Sequence, residues 1–233
     1  LLGSWNRKGG FYIPEKVDMP HYPLPAYPTP KFKTGDAYPG KWPFASQGVT
    51  NGVIEASVGD DAFFKGWMVY GTNLPQTIPG VAAKLRAAAD SLDLVVVVDT
   101  MPSEVTGYAD VILPECTYLE RYDDIRNSGE RHPSLALRMP AFEPKYESKP
   151  GWWIAKQLGE RLGLHEYFPW DDYAEKLDWE LQQVGSSLEE MQKIGVKNFP
   201  RKRPLYFREG QPARFYTPSR KIELYSQQLA DEG

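Results

Sequence analysis

The chain has 233 residues, 41% of them hydrophobic and 25% charged, with a formal charge of −4; that suffices for one large core or two small ones and gives no electrostatic footprint for nucleic acid. A single cysteine, Cys116, excludes an internal disulfide framework and a Cys-rich metal site, and His21, His132 and His165 are too far apart in sequence to form a ligand cluster. No apolar run is long enough to span a membrane, and Leu1 to Gly10 lacks the apolar core of a signal peptide.

The chain starts without methionine, and Leu1-Leu2-Gly3 reads like the end of a helix, so a piece of a longer or processed polypeptide is expected. Eight prolines from Pro14 to Pro43 leave no room for a useful helix. Tyr12, Tyr22, Tyr27, Phe32, Tyr38, Trp42 and Phe44 are interleaved with them. An extended strap anchored by its aromatics is expected there, since disordered linkers are poor in aromatic residues. A proline-rich recognition segment is the alternative. A short helix fits residues 51–62, although Gly52 and Gly59 oppose it.

Trp67 to Tyr70 reads as a buried strand between Gly66 and Gly71. A turn-rich loop follows, then a helix with Val81, Leu85, Ala88 and Leu92 on one face. Leu94 to Val98 is β-branched and apolar, as a central parallel strand requires. Glu104 to Tyr108 fits a short helix or turn, and Val111-Ile112-Leu113 a third strand stopped by Pro114. Residues 115–148 read as a long, charged, irregular segment. Pro150 and Gly151 open an amphipathic helix with Trp153, Ile154, Gln157, Leu158, Arg161 and Leu162, expected to pack on the sheet and end at Gly163. Residues 171–195 read as two helices broken at Gly185-Ser186-Ser187. Their apolar positions are Tyr173, Leu177, Leu181, Val184, Leu188 and Met191, and Ser187 with Glu190 forms a capping box. Residues 198–212 read as a basic connection, and Phe215 to Tyr225 as two short strands around a turn. The expected class is α/β, a Rossmann-like parallel sheet with flanking helices behind a long Pro- and aromatic-rich extended segment.

In such a sheet, ligands bind at loops leaving the carboxyl ends of the strands. Gly71-Thr72-Asn73 offers close backbone approach, a hydroxyl and an amide there, and is equally ordinary turn chemistry. Asp99 ends the central strand, where it can accept from a ribose hydroxyl pair or a guanine edge, or instead cap the segment at 102–106. Thr100 and Ser103 add hydroxyls. No Gly-x-Gly-x-x-Gly and no phosphate-loop motif exists, which disfavours common nicotinamide binding and phosphate-loop hydrolysis. Cys116 has no nearby histidine to activate it and reads as a small buried residue more readily than as a nucleophile. The mixed-charge run from Glu115 to Arg131 reads as self-paired for its acids. Arg126 and Arg131 are candidates to hold an anion at a substrate funnel.

A family is legible in an ordered set of markers. Val97-Val98-Asp99 with Ser103 and Thr106, then Ala109-Asp110-Val111-Ile112-Leu113-Pro114 and Glu120, resembles molybdopterin oxidoreductases of the dimethyl sulfoxide reductase superfamily. Gly71-Thr72-Asn73 matches that family's upstream loop, and Trp152-Trp153-Ile154 with Leu158 and Leu162-Gly163 its following helix. Leu2-Gly3 through Gly9-Gly10 resembles the end of a preceding helix, and Thr217 to Leu224 the segment leading to a C-terminal domain. Leu74 between Asn73 and Pro75, Ser103 in place of Thr and Arg220 in place of Gly depart from the pattern. Tyr118 to Asp124 and Arg131-His132-Pro133 look most like the polysulfide and thiosulfate reductase branch, with arsenate and tetrathionate reductases as the alternative.

The resemblance implies an internal part of a catalytic subunit. Its cofactor would be a molybdenum ion held by two molybdopterin guanine dinucleotides, with an iron–sulfur cluster elsewhere in the full chain. Gly71, Thr72, Asn73, Asp99, Thr100, Ser103 and Asp110 would bind one guanine dinucleotide tail. No metal ligand and no assignable catalytic residue would lie in this chain. Partners would be the rest of the subunit, an iron–sulfur electron-transfer subunit and a membrane anchor, often on the outer (periplasmic) face of the membrane. The implied division is 1–60 strap, 61–165 Rossmann-like cofactor domain, 166–212 helical insertion and connection, and 213–233 the start of the link to a C-terminal barrel. A non-catalytic nucleotide-binding α/β scaffold is the alternative of another class.

Overall fold

The computed structural model describes residues 4–42, 44, 45, 48–207 and 215–232. Leu1-Leu2-Gly3, Pro43 and the 208–212 part of the expected basic connection lie outside the described residues. The chain divides into two compact units, Pro23–Tyr122 with Met139–Tyr173, and Leu1–Tyr22 with Asp123–Arg138 and Ala174–Gly233.

The first unit contains α1 (Thr50–Glu55), β1 (Gly66–Tyr70), α2 (Leu74–Thr77), α3 (Ala82–Ser91), β2 (Leu94–Asp99), β3 (Val111–Pro114) and α4 (Gly151–Arg161). The strands form a parallel sheet in the order β1-β2-β3, with Val69 opposite Val97 and Val97 opposite Ile112. β2 is central because its β-branched residues suit a strand covered on both faces, and Val95, Val97 and Val98 are buried. Val95 and Val97 join Val69 and Val105 in one core cluster, while Val81, Leu85 and Ala88 of the α3 segment pack with Ile54 in a second. The expected face of α3 is therefore the buried one, with Leu92 at its C-terminal cap against the valine cluster.

Three expectations need correction here. β1 is an edge strand rather than a buried one: only Val69 is buried, and Met68 and Tyr70 are each 53% exposed. An apolar run marks a strand but cannot show on which sides it has neighbours. The helix expected over 51–62 stops at Glu55, and the chain turns at Gly59 with φ 94°. In α4 the buried residues are Ile154 and Gly159, whereas Trp153 and Leu162 are exposed. Trp152 stacks on Tyr173 instead, and Gly159 lies under Phe168. Gly151 has a fixed reason to be glycine. A Cβ there would lie 2.6 Å from Glu115 Oε1 and closer still to the Tyr70 hydroxyl. Gly151→Ala is expected to cost about 1–3 kcal/mol, as overpacking does, read from urea unfolding midpoints.

Glu55 ties α1 to its surroundings, accepting from Lys41 and from Lys84 at 2.7 Å. These two ammonium groups, Lys41 foremost, hold its carboxyl down from 4.5 to about 2. A carboxyl depressed on folding contributes stability above its unfolded value and loses it as pH falls through the folded one. Thermal melting should therefore show a contribution that disappears between pH 4.5 and about 2 and is missing in Glu55→Gln. Identical acid profiles for the two proteins would contradict it.

The second unit contains β4 (Arg126–Ser128), β5 (Ser134–Ala136), α5 (Tyr173–Gln182, whose first residue belongs to the other unit), α6 (Leu188–Ile194), β6 (Val196–Asn198) and α7 (Gln227–Glu232). β5 pairs antiparallel with both β4 and β6. This sheet lies in segments expected to be irregular or connecting. Its three-residue strands are too short to show an alternation. Leu177, Leu181 and Met191 are fully buried, as their spacing requires. Ser187 caps α6 by accepting from the Glu190 N–H at 3.1 Å. Only half of the expected capping box forms, because the Glu190 carboxylate bonds Ser186 and Lys197 instead. Among the described residues of Phe215 to Tyr225 there is no strand. Thr217 Oγ1 donates to the Lys221 carbonyl and Glu223 accepts from the Ser219 N–H, so the segment closes on itself as a turn with Arg220 at φ 60°.

Several aromatics of the Pro-rich segment make ring contacts. Tyr27 stacks on Tyr167 and Tyr38 packs edge-on to Trp42 in the first unit, and Tyr22 packs edge-on to Trp179 in the second.

Candidate functional site

Two loops leave the carboxyl ends of adjacent parallel strands, Gly71–Asn73 after β1 and Asp99–Ser103 after β2. The Gly71 N–H donates to the Val98 carbonyl at 2.9 Å, which holds the first loop against the second strand. Gly71 has φ 57°, a region glycine enters without a Cβ penalty, and a Cβ there would meet no atom within 4 Å. The backbone conformation, not crowding, requires glycine here, and the space beside it is open.

Asn73 sits at the start of α2, where its carbonyl accepts from the Gln76 and Thr77 N–H groups. Its side-chain amide donates to Glu104, which also accepts from Gln76 Nε2 at 3.0 Å. The Asn73 bond foremost, with Gln76 adding to it, holds the Glu104 carboxyl below its ordinary range, so Glu104 is ionised at neutral pH. An ionised carboxylate only accepts, which fixes the amide with its nitrogen toward Glu104 and its oxygen away. Asn73 Oδ1 is then buried with no donor among the described residues. Such an orphaned acceptor is costly and demands a partner.

Asp99 accepts the Thr100 N–H at 2.7 Å and, weakly, the Ser103 hydroxyl at 3.4 Å. No N–H of the 102–106 segment reaches it; the turn at Glu104–Tyr108 is preceded by Ser103, whose side chain makes no cap bond. Its two oxygens retain lone pairs for further donors. Thr100 is exposed and Ser103 half-buried.

The other named residues are placed differently. Asp110 accepts the Val95 N–H at 2.7 Å while its own N–H donates to the Val95 carbonyl at 2.9 Å, near the amino end of β2. Its carboxylate is occupied in fixing the β2–β3 register and is not brought to the loops. Arg126 and Arg131 lie in the other unit, both exposed; Arg126 Nε donates to Ser128 at 2.9 Å. Cys116 is fully buried, and burial, partly opposed by Arg121, pushes its thiol up, the opposite of an activated nucleophile.

The acids of the charged run are paired. Glu115 Oε1 accepts from Tyr70, from Arg121 at 2.5 Å and from the Gly151 N–H at 3.1 Å. Glu120 accepts from Thr117 and from the Lys145 N–H. Asp123 pairs with Arg138 and Asp124 with Lys176. Sequence reasoning missed Glu104 and Gln76, which brace Asn73. The only available signal was a carboxylate opening the turn after β2 and an amide one turn into α2.

Parallel strands with ligand-competent loops at adjacent carboxyl ends define an open parallel α/β module. Residues 54–161 match the family model of the molybdopterin oxidoreductases. The chain belongs to the molybdopterin oxidoreductase family. It is 31% identical to the thiosulfate reductase molybdopterin-containing subunit PhsA of Salmonella typhimurium, over 99% of this chain and 35% of that protein. It is 35% identical to the acetylene hydratase of Syntrophotalea acetylenica, over 58% of this chain and 18% of that protein. The solved acetylene hydratase from Pelobacter acetylenicus superposes with a TM-score of 0.61 at 26% identity, covering 81% of this chain and 25% of that one. The chain thus spans about a third or less of the length of these relatives.

Proposed function

We propose that the Gly71–Asn73 and Asp99–Ser103 loops hold the guanine dinucleotide tail of a molybdopterin cofactor, in the catalytic subunit of an enzyme that reduces thiosulfate or polysulfide. The observation that carries the reading is the orphaned Asn73 Oδ1, buried in one loop while Asp99 keeps free lone pairs in the other. Two acceptors on adjacent loops fit a ligand rich in N–H and O–H donors, which a guanine edge and a ribose both are. Gly71 leaves room for such a ligand to approach the backbone. Asp110 is left out of the grip because it precedes β3 and meets Val95 near the amino end of β2, away from the loops at the carboxyl ends.

When bound, the cofactor would supply a metal centre able to exchange electrons with a substrate. The residues of this chain would bind and orient its tail and touch no reacting atom. Two differently named activities, a thiosulfate reductase and an acetylene hydratase, occur among relatives matching this region, which supports a holding role over substrate choice. Thiosulfate or polysulfide as substrate rests on the likeness to PhsA along nearly the whole chain. PhsA is named as a subunit, so an electron-transfer partner subunit belongs to the proposal, with a membrane anchor and an iron–sulfur cluster outside these residues.

Acid denaturation of the purified full-length protein should release guanine nucleotide together with molybdenum. A protein that releases neither, yet remains folded, favours the scaffold alternative and ends this reading.

A further inference from the structure

The unit containing β4, β5 and β6 holds a cationic cavity that the cofactor reading does not use. Two adjoining hollows of 590 and 360 Å³ share Glu15, Lys16, Val17, Asp18 and Lys202 in their walls, and Arg203 lines the larger. Arg201 pins the surrounding chain. Its guanidinium donates to the carbonyls of Ile13 and Arg131 at 2.8 Å and of Arg203 at 3.1 Å. It also lies 3.5 Å from Glu15, which is buried. Glu15 in turn accepts the N–H groups of Lys202 at 2.8 Å and Arg203 at 3.1 Å. Burial pushes the Glu15 carboxyl up, but these donors and the Arg201 and Arg203 charges outweigh it and hold the group ionised. Three separate chain segments are thereby locked around one hollow.

With Glu15 engaged by Arg201 and two N–H groups, the walls carry Lys16, Lys202 and Arg203 against Asp18 alone. None of these three cations has an ion-pair partner among the described residues. On a chain of formal charge −4 this is a local surplus of the opposite sign, held on a pinned frame. Cations in excess of the nearby counter-charge repel one another, and a multivalent anion relieves that repulsion. Two ammonium groups and a guanidinium fork supply the donors a tetrahedral oxyanion accepts. We propose that this cavity binds a small multivalent oxyanion of the sulfate or phosphate type, through Lys16, Lys202 and Arg203. The proposal does not rest on the cofactor reading.

Calorimetric titration of the full-length protein with sulfate, and separately with pyrophosphate, tests it at ionic strength held constant with sodium chloride. Saturable binding to one site is expected. Each of Lys202→Gln and Arg203→Gln should weaken it about tenfold, the usual loss for one charge-assisted donor. Both side chains are exposed, so the variants should fold; thermal melting verifies this. Asp18→Asn, which removes the opposing wall charge, should tighten binding about threefold. No saturation with either anion overturns the proposal, as does binding unmoved in all three variants. Saturation only by a glutamate-rich peptide also overturns it and makes the cavity a protein-docking surface.

Discussion

Replacing Glu115 by leucine is expected to cost about 3–5 kcal/mol of folding stability, the range for removing one partner of a buried ion pair. Glu115 is 6% exposed and stands just past the end of β3. A single oxygen accepts from the Tyr70 hydroxyl at the end of β1, from Arg121, and from the Gly151 N–H that opens α4. Arg121 is itself mostly buried, with its side chain 18% exposed. The carboxylate also lies at a helix amino end, where negative charge is favoured. Leucine fills the volume but removes the acceptor that a guanidinium, a hydroxyl and an N–H share, while Arg121 keeps its bond to the Cys116 carbonyl at 2.7 Å. Glu115→Gln keeps an acceptor and loses the charge, so its cost should be smaller. Urea unfolding with an unchanged slope reads both. A loss below about 1 kcal/mol for the leucine variant would mean that the stranded donors find water or other partners.

Asp99→Ala should deplete the bound cofactor without unfolding the protein. Asp99 is half-buried, and among the described residues its bonds go only to the adjacent N–H and, weakly, to Ser103. Little folding stability depends on it. A hydrogen bond to a charged acceptor is worth about 1.5–3 kcal/mol, so the affinity for a guanosine end should fall roughly ten- to a hundredfold. Asn73→Leu should act in the same direction by removing the orphaned acceptor, and it also strips Glu104 of a donor. Guanine nucleotide and molybdenum per folded protein are the readouts. Unchanged occupancy in Asp99→Ala, with the melting temperature preserved, would show that the guanosine contact is misassigned.

The parallel sheet was readable because its determinants are local. The β-branched run Val95–Val98 favours a strand covered on both faces, and the α3 face has helical spacing. Exposure was not readable in the same way. Whether Met68 and Tyr70 face a neighbour depends on what lies beyond β1, which no local period encodes. The β4-β5-β6 sheet escaped because Arg126-Asn127-Ser128 is polar and three residues long, and β6, which pairs with β5, lies far along the chain. At the candidate site the chemistry-bearing residues were legible, since glycine, amide and carboxylate at strand ends are recognisable types. Their bracing was not. Glu104 meets Asn73 across 31 residues, and that pairing decides which way the amide points. Asp110 illustrates the reverse: its place in the Ala-Asp-Val-Ile-Leu-Pro run drew it into the site, yet it stands at the amino end of β3, where its carboxylate accepts the Val95 N–H.

The most direct measurement is an experimental structure of the full-length protein purified with its cofactor. The guanine dinucleotide should lie across the carboxyl ends of β1 and β2, with a donor within hydrogen-bond distance of Asn73 Oδ1 and another on Asp99. A bound cofactor whose nucleotide tails leave both residues untouched would contradict the reading.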